Sequence, residues 1–595
     1  MTNWKKVAEV LQLSGRQLRP FFGIAFVIAA CLILVLALDP AMSPFPGWRL
    51  LWLNVLPIML VALVLFGISG RAWLSAWIIG GVVWLLFVVN GIKERNMNAP
   101  VMPSDVVLES QLIHNLGFFS RYLQAHWLAA FAALAFLAGA WVMGRLEHHR
   151  RRPVWGLRLL CILLPMTGLY GIYEDLGPCA GLYSDDALDG FELWNPIVAV
   201  DRVGLMAGLV RMAEESKVAV PHVQSKLVED YARVNIDDLK ARAARAVPKE
   251  LPDIVVVQSE AFFDPGILKG IEPGDYEANF EGLSSSGISG FLKAPTYGGG
   301  TIRTEFEALT GYPMQAFPVI EYPYYGLAAR WMPSVPRRLD SFGYETMIFH
   351  PYHGSFWNRD EAVSALGMRR SFYDDQFSEA ERAGVYVSDH ALFDSVLTQL
   401  DQKASGPRYA LVITIENHGP WDGDIGELSS LLDGRKVPAG LSPAATQEMT
   451  YYLSHLVNGD KALGDFAQRL LARPQWTVLL FYGDHLPALE HAFAERGFDD
   501  GGANGEERTR YVLVSNRPIE HKQRDLSAYE LPGLLFDYIG LPEDGYLAFS
   551  ASMRQKRLET PSENEAQRSE TILNAARMEV LCGHSISLAG RCDAP

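Results

Sequence analysis

The sequence predicts two parts: an N-terminal transmembrane domain of five helices, and an α/β domain with a central, mostly parallel sheet. Five long apolar stretches lie within the first 175 residues or so, and each is about as long as a bilayer core requires. From Asp253 onward, short apolar, β-branched runs alternate with helical stretches. Continuous apolar strands of this kind are buried on both faces, which is typical of an α/β sandwich.

The five apolar stretches are nearly free of charge. They are Phe21–Leu38, Leu50–Ile68, Trp73–Gly91, Trp127–Gly144 and Val154–Tyr173. No obvious small-residue cleavage site follows the first stretch, and four more come after it, so it is predicted to remain as an anchor. The alternative, buried helices of a soluble domain, fits five such stretches poorly. Basic residues at positions 5–19, 71 and 145–152 fall on one side, which predicts that side to be cytoplasmic.

Everything after Tyr173 is therefore predicted to be extracytoplasmic. The expected domains are residues 1–175 for the transmembrane part, 176–250 for a helical linker near the membrane, 251–550 for the α/β domain and 551–595 for a C-terminal tail. Cys582 and Cys592 enclose a short loop in that tail and suggest a disulfide in an oxidising compartment. The formal charge of −16 argues against a general nucleic-acid binder, so no nucleic acid is expected as a partner.

Five runs of the α/β domain are predicted to be buried strands. They are Ile254–Gln258, Glu345–Phe349, Tyr409–Ile415, Thr477–Tyr482 and Tyr511–Ser515. Carboxylates, imidazoles and one arginine follow the first four directly. Because ligands bind at the carboxyl ends of the strands in such sheets, these side chains are predicted to meet at one rim. The alternative makes each of them an ordinary turn or strand-end residue.

A glycine-rich loop, Gly298-Gly299-Gly300, precedes Thr301, and Glu305–Leu309 is predicted to be the start of a helix, with Thr301 at its N-terminus. The glycines allow a tight turn and close approach to a ligand. Free N–H groups at a helix N-terminus favour a phosphate, so Thr301 is placed where a phosphate would bind. The alternative is a plain loop that ends in a threonine N-cap.

The residue types indicate metal-assisted chemistry. Glu260, Asp484 and His485 form an O,O,N ligand set for a divalent cation, Mn²⁺ first, with Mg²⁺ or Zn²⁺ as alternatives. Thr301 would be a fourth ligand, and a cation lowers the pKa of a hydroxyl enough to make it a nucleophile at neutral pH.

A substrate group is predicted beside these residues. Arg359 offers a planar fork to a phosphate or sulfate. Trp357 is expected to close over a small polar head group, and His418 to donate to a phosphoryl or leaving oxygen. His353 lies in the same stretch as Trp357 and is included among the substrate-binding residues.

These motifs, taken together, resemble the lipoteichoic acid synthase family of the sulfatase and alkaline phosphatase superfamily. They are Val-Gln-Ser-Glu ending at Glu260, Gly-Thr-Ile-Arg-Thr-Glu-Phe containing Thr301, Phe-Trp-Asn-Arg-Asp ending at Asp360, Asn-His ending at His418, and Tyr-Gly-Asp-His ending at His485. The similarity covers the architecture of the whole chain and, in motifs, roughly residues 250 to 515. It implies a sulfatase-like fold for the α/β domain.

The resemblance also implies a phosphoglycerol transferase. In that family the threonine attacks the phosphate of phosphatidylglycerol, diacylglycerol leaves, and an acceptor hydroxyl collects the group from a phosphoglycerol-threonine intermediate. Carried over, Thr301 is the nucleophile, with Glu260, Asp484 and His485 on the metal. Trp357, Arg359 and His418 would bind the glycerophosphate. The expected partners are the membrane, phosphatidylglycerol and a glycan or polymer acceptor.

One departure from the family is Ile302-Arg303, where the Gram-positive synthases more often carry small or acidic residues. Arg303 either adds a phosphate contact or marks a different donor or acceptor. The paired cysteines suggest a Gram-negative periplasm, with the protein in the inner membrane. There a periplasmic glucan is one candidate acceptor, by analogy alone.

Three alternatives stand beside this reading of the family. A phosphoethanolamine transferase would share the nucleophile, the metal site and the anchor, although Phe-Trp-Asn-Arg-Asp favours glycerophosphate. A true sulfatase needs a Cys or Ser in a Cys/Ser-x-Pro/Ala-x-Arg context, which Thr301-Ile302-Arg303 does not provide. The third is a catalytically inactive membrane scaffold or sensor.

Overall fold

The structure is a computed structural model that describes most of the chain between residues 22 and 572. The described residues are 22–97, 100–103, 105, 126–147, 155–184, 187–188, 196–215, 225–272, 274–317, 320–326, 333–421, 425–426, 428–502, 508–543, 545–559 and 572. Two compact units are present, Met1–Val106 with Leu116–Val218, and Val107–Asn115 with Ala219–Pro595. Cys582, Cys592 and the predicted cytoplasmic segments at 5–19 and 150–152 lie outside the described residues.

The described residues of the first unit lie mainly in helices. Its helices are α1 (Phe22–Leu38), α2 (Trp48–Ser69), α3 (Ala72–Met97), α4 (His126–Leu146), α5 (Trp155–Tyr173), α6 (Pro196–Val203) and α7 (Leu205–Glu215). Of the described helices, three are long and apolar enough to cross a membrane: α2, α3 over Ala72–Arg95, and α5. The other two predicted spans correspond to α1 and to Ala133–Leu146 of α4, which are shorter apolar helices of 10–17 residues. Among the described residues, the structure therefore supports three of the five predicted spans.

The second unit contains the remaining helices and all the described strands. The helices are α8 (Ser225–Val234), α9 (Ile236–Ala243), α10 (Ala278–Ser284), α11 (Thr301–Thr310), α12 (Pro323–Gly326), α13 (Val335–Asp340), α14 (Arg359–Ala365), α15 (Asp389–Leu400), α16 (Pro443–Leu471), α17 (Glu490–Arg496), α18 (Leu531–Ile539) and α19 (Gly545–Glu559). The strands are β1 (Asp253–Ser259), β2 (Ile288–Lys293), β3 (Glu345–Phe349), β4 (Arg370–Phe372), β5 (Arg382–Ala383), β6 (Tyr386–Val387), β7 (Arg408–Ile413), β8 (Thr477–Gly483), β9 (Thr509–Ser515), β10 (Lys522–Gln523) and β11 (Leu526–Ser527).

Among the described residues, one sheet of nine strands has the order β10-β2-β9-β8-β1-β7-β3-β4, and β11 also pairs with β2. The five predicted strands are confirmed as β1, β3, β7, β8 and β9. The central pairs are parallel, whereas β9 is antiparallel to both β8 and β2. The prediction of a mostly parallel sheet is therefore confirmed, and the antiparallel β9 and β2 are additions to it.

The apolar run of β1 explains why this strand lies at the centre. Ile254 and Val256 pack into the core on one face, and Val255 and Val257 pack into a second core on the other. Successive strand residues point to opposite faces, so an unbroken apolar run needs helices on both sides. All seven residues of β1 are buried.

The sheet order brings the polar strand ends together. Strand β1 runs parallel to β8, with Ser259 opposite Gly483, and parallel to β7 on its other side. The residues that follow β1 and β8, Glu260 and Asp484, therefore become neighbours at the same rim.

We expect Gly483→Ala to destabilise the protein, because the backbone of the neighbouring segment leaves no room for a side chain. A Cβ at Gly483 would lie 2.0 Å from the carbonyl oxygen of Phe262. We expect the free energy of unfolding to fall by about 1–3 kcal/mol. Gly282 in α10 is the control, since a Cβ there meets nothing within 4 Å. Thermal unfolding of the full-length protein in detergent compares the two variants, and equal melting temperatures would contradict this expectation.

Candidate active site

The nucleophile predicted from the sequence, Thr301, is the first residue of α11. Gly300 is the N-cap residue, with a φ of 75° in the left-handed region that favours glycine. Because Gly300 occupies the cap position, the Thr301 hydroxyl is not the N-cap group. Its Oγ1 instead lies 3.3 Å from Oε2 of Glu260, and the residue is 8% exposed. The alternative of a threonine N-cap therefore does not hold.

Glu260, Asp484 and His485 form one buried cluster. One potential ligand atom from each lies within 4.8 Å of the other two. Nε2 of His485 is 3.4 Å from Oε1 of Glu260 and 3.4 Å from Oδ2 of Asp484. The structure thus brings the three residues together at the rim where β1 and β8 end.

The hydrogen bonds around the cluster orient it for a cation. Nδ1 of His485 faces the carbonyl oxygen of Leu486 at 2.9 Å, so Nδ1–H donates there and the lone pair of Nε2 faces the cluster. Oδ1 of Asp484 accepts from the backbone N–H groups of Ala261 and His485, each at 2.8 Å. Among the described residues, Oδ2 of Asp484 and Nε2 of His485 have no hydrogen-bond partner.

Buried acceptors without a partner are costly to keep in the folded state. A divalent cation would satisfy both of them, together with Glu260. The residues therefore fit the metal that the sequence predicted, with oxygen and nitrogen donors that suit Mn²⁺, Mg²⁺ or Zn²⁺.

Burial and the nearby negative charge of Asp484 raise the pKa of Glu260 to about 8. In the absence of a cation, the protonated form of Glu260 is thus favoured. Its contribution to the free energy of unfolding is lost as the pH rises from about 4.5 through about 8. Cation binding requires the carboxylate and must displace this proton.

We therefore expect the dissociation constant for Mn²⁺ to fall by about tenfold per pH unit between pH 6 and 8 and to level off above that range. Titration calorimetry of the metal-free, full-length protein in buffers of different ionisation enthalpy measures both the affinity and the released proton. Glu260→Gln should flatten this pH dependence while binding more weakly. An affinity that is independent of pH in the unmodified protein would contradict the expectation.

A second acidic cluster holds an arginine instead of offering a free metal site. Ligand atoms of Asp264, Glu277 and Glu281 also lie within 4.8 Å of one another. Nη1 of Arg510 is 2.8 Å from Oδ2 of Asp264, and Nη2 is 2.9 Å from Oε1 of Glu281. Because the guanidinium already binds two of these three carboxylates, Glu260, Asp484 and His485 are the better candidates for a metal site.

Arg359 is the first residue of α14 and is 1% exposed. Its Nε lies 3.1 and 3.4 Å from the two carboxylate oxygens of Glu305. Its Nη1 is buried and has no hydrogen-bond partner in the described part of the chain. Burial raises the pKa of Glu260, and the positive charge of Arg359 opposes that rise by a smaller amount.

Three other residues were also predicted from the sequence to bind the substrate, namely Trp357, His418 and His353. Trp357 has a φ of 60° and stacks on Tyr322, with ring centroids 5.1 Å apart. His418 is half-buried, and its Nδ1 lies 2.7 Å from the carbonyl oxygen of Gly419. His353 is exposed at the surface, where its Nδ1 is 2.5 Å from Oδ2 of Asp374.

Arg303 supports a loop in this structure. Its Nη1 lies 3.4 Å from the carbonyl oxygen of Ile320 and 3.3 Å from that of Glu321. Nε lies 3.4 Å from the carbonyl oxygen of Pro295. The guanidinium therefore bridges the segments before and after α11, and its predicted phosphate contact stays a prediction.

Glu305 and His350 were not predicted from the sequence as site residues. Glu305 lies four residues after Thr301 on α11, and that spacing was a signal that it shares the face of the nucleophile. His350 follows β3 and is buried, with Nδ1 3.1 Å from the carbonyl oxygen of Ile413. Burial and the charge of Arg359 lower its pKa well below the ordinary value.

Residues 252–534 match the family model described as Sulfatase. This match lies within the second unit, and it agrees with the resemblance that the motifs predicted. A protein of Rhizobium meliloti, provisionally described as a cyclic beta-1,2-glucan modification protein, is 27% identical over 251 residues, which are 42% of this chain and 38% of that protein. Lipoteichoic acid synthase 1 of Bacillus subtilis is 29% identical over 161 residues, which are 26% of this chain and 23% of that protein.

The chain thus spans less than two fifths of the length of these two curated relatives. Among solved structures, the phosphoglycerol transferase GacH of Streptococcus pyogenes, in complex with sn-glycerol-1-phosphate, is similar with a TM-score of 0.48 and 20% identity. That similarity covers 61% of this chain and 96% of the other.

Proposed function

We propose that this chain is a membrane-anchored, metal-dependent phosphoglycerol transferase. It takes glycerophosphate from phosphatidylglycerol, holds it on Thr301 and passes it to a hydroxyl of an extracytoplasmic glycan or polymer. The observation that carries the proposal is the position of the Thr301 hydroxyl, 3.3 Å from Glu260 at the edge of a buried O,O,N cluster. The same hydroxyl lies at a helix N-terminus, where N–H groups favour a phosphate.

In the first step, Oγ1 of Thr301 forms a bond to the phosphorus of the lipid, and the bond from phosphorus to the diacylglycerol oxygen breaks. Oε2 of Glu260, which accepts a hydrogen bond from this hydroxyl, is proposed to take its proton. His418 is proposed to donate the proton that the diacylglycerol oxygen takes up. In the second step an acceptor hydroxyl bonds to phosphorus and gives its proton to His418, which lost one in the first step. The bond from phosphorus to the threonine oxygen breaks, and this oxygen regains the proton from Glu260.

Charge stabilisation is proposed to come from three sources. Arg359 binds a non-bridging phosphate oxygen through its free Nη1, and the N–H groups at the start of α11 bind another. A divalent cation held by Glu260, Asp484 and His485 would lower the pKa of the hydroxyl and neutralise developing negative charge. Trp357 is proposed to cover the glycerol.

The helices and the relatives support the proposed location and acceptor. Three described helices are able to span a membrane, which keeps the domain close to a lipid donor. We propose the bacterial inner membrane, with the second unit on the periplasmic side. The relatives described as a glucan modification protein and a lipoteichoic acid synthase support a glycan or polymer acceptor.

The test supplies the donor directly. Full-length protein in nanodiscs with Mn²⁺ is incubated with phosphatidylglycerol or with phosphatidylethanolamine, and the intact mass and tryptic peptides are measured. We expect a phosphoglycerol adduct on Thr301 only with phosphatidylglycerol. An adduct from phosphatidylethanolamine alone would assign the chain to phosphoethanolamine transfer. No adduct from either lipid, with Mn²⁺ bound, would overturn the proposal in favour of an inactive scaffold or sensor.

Arg359→Lys is expected to lower kcat/KM for adduct formation by about 10- to 100-fold. Lysine keeps the charge but lacks the planar fork, so it cannot contact both Glu305 and a phosphate in the same geometry. Stopped-time mass spectrometry at several lipid concentrations gives kcat/KM. Full activity of Arg359→Lys would show that Arg359 does not bind the phosphate.

A further inference from the structure

Glu305 is a buried carboxylate to which the proposed reaction gives no role. It lies on α11 four residues after Thr301 and is fully buried. Residues four apart on a helix lie one above the other, with about 5–6 Å between their Cβ atoms. Glu305 therefore sits one turn behind the nucleophile on the same face.

The partner of Glu305 comes from a distant part of the chain. Nε of Arg359, 54 residues away, lies 3.1 and 3.4 Å from the two oxygens of the Glu305 carboxylate. The pairing uses the Nε edge of the guanidinium. Nη1, on the other edge, is buried and unpartnered among the described residues.

The backbone just before Arg359 adopts an unusual conformation that fixes where this side chain begins. Trp357 and Asn358, the two residues that precede it, have φ values of 60° and 58°. Non-glycine residues in this region are strained, and they persist where the surrounding structure holds them. The chain therefore accepts local strain to begin α14 with Arg359 facing α11.

We propose that Glu305 is a positioning residue, which holds Arg359 by its Nε edge so that the Nη edge faces the phosphate next to Thr301. Thr301, the nucleophile, and Glu305, which holds Arg359, then lie one turn apart on the same helix, α11. This inference rests on the proposed function, because it assigns Arg359 to the phosphate. A pair with only a structural role would stabilise the fold without affecting phosphate affinity.

A double-mutant cycle separates these two roles. The full-length, Mn²⁺-loaded protein is prepared unmodified and as Glu305→Gln, Arg359→Ala and the double variant, and the affinity for glycerol phosphate is measured by calorimetry. We expect Glu305→Gln to weaken glycerol phosphate binding about 10-fold or more in the unmodified background and less than about twofold beside Arg359→Ala, since coupled residues are non-additive. Equal effects in both backgrounds, or no effect in either, would overturn the proposal.

Mn²⁺ affinity shows whether Glu305→Gln affects only the positioning of Arg359 or disrupts the site as a whole. We expect Glu305→Gln to leave it within about twofold, because Glu305 is not among the cluster residues. Glu543→Gln is the matched control, because Glu543 is also fully buried and its Oε2 is 2.9 Å from Nη1 of Arg242. It removes the same charge from a buried pair outside the site, so glycerol phosphate binding should not change.

Glu305→Asp covers the case in which Glu305→Gln does not fold. The aspartate keeps the charge but is one methylene shorter, so Arg359 should be held less well. We expect an intermediate loss of glycerol phosphate affinity, and an unchanged affinity would overturn the proposal. Because this assay measures binding, its result is independent of whether phosphatidylglycerol forms an adduct. A failure of the transferase proposal is therefore distinguishable from a failure of this one.

Discussion

Thr301→Ala is expected to abolish the covalent intermediate and to lower turnover by at least about 10⁴-fold. The reaction that we propose passes through a bond between Oγ1 and phosphorus, and alanine has no oxygen with which to form it. Mn²⁺ should still bind, more weakly, because Glu260, Asp484 and His485 remain. Intact mass after incubation with phosphatidylglycerol, together with product release under multiple turnover, measures both effects.

Thr310→Ala is the matched control for this substitution. Thr310 ends the same helix and is also buried, but its Oγ1 donates to the carbonyl oxygen of Phe306. Its replacement is expected to affect stability and to leave adduct formation intact. If Thr301→Ala turned over at the unmodified rate, or still carried the adduct, another nucleophile would have to be responsible.

Asp484→Asn is expected to weaken Mn²⁺ binding by at least about 100-fold and to stop turnover at micromolar metal. Asparagine is nearly isosteric, so its side-chain oxygen can still accept from Ala261 and His485, as Oδ1 of Asp484 does now. The change removes the negative charge and the free carboxylate oxygen that faces His485. Calorimetry and metal content after dialysis measure the loss.

Asp264→Asn distinguishes the two acidic clusters. Asp264→Asn also replaces an aspartate by asparagine, but in the second acidic cluster, which binds Arg510. Mn²⁺ binding is expected to be unchanged in this variant, although thermal stability should fall because Arg510 loses one of its two charged partners. A larger loss of Mn²⁺ in Asp264→Asn than in Asp484→Asn would move the metal to the second cluster.

The sequence was sufficient for the parts that depend on local pattern. The five apolar runs are strands because each can be buried on both faces, as Val255 and Val256 show in β1. The start of α11 at Thr301 follows from the preceding glycines, of which Gly300 adopts a left-handed conformation. Strands β2 and β4 were missed because β2 is half-buried and contains two polar residues, and β4 has only three residues.

The number of membrane spans could not be predicted from composition alone. Hydropathy predicted five spans, and the described helices of the first unit provide three of sufficient length and apolar character. The other two predicted spans correspond to the shorter apolar stretches Phe22–Leu38 and Ala133–Leu146 within the described residues.

By itself, the sequence determined the residue types of the site and the strand ends that carry them, because both are properties of short segments. Only the tertiary structure decided how those segments meet. Parallel pairing of β1 with β8 brings Glu260 beside Asp484. The hydrogen bond of His485 to Leu486 selects the nitrogen that faces them. The pairing of Arg359 with Glu305 joins residues 54 positions apart. Such contacts depend on sheet order and on burial, and no local pattern contains them.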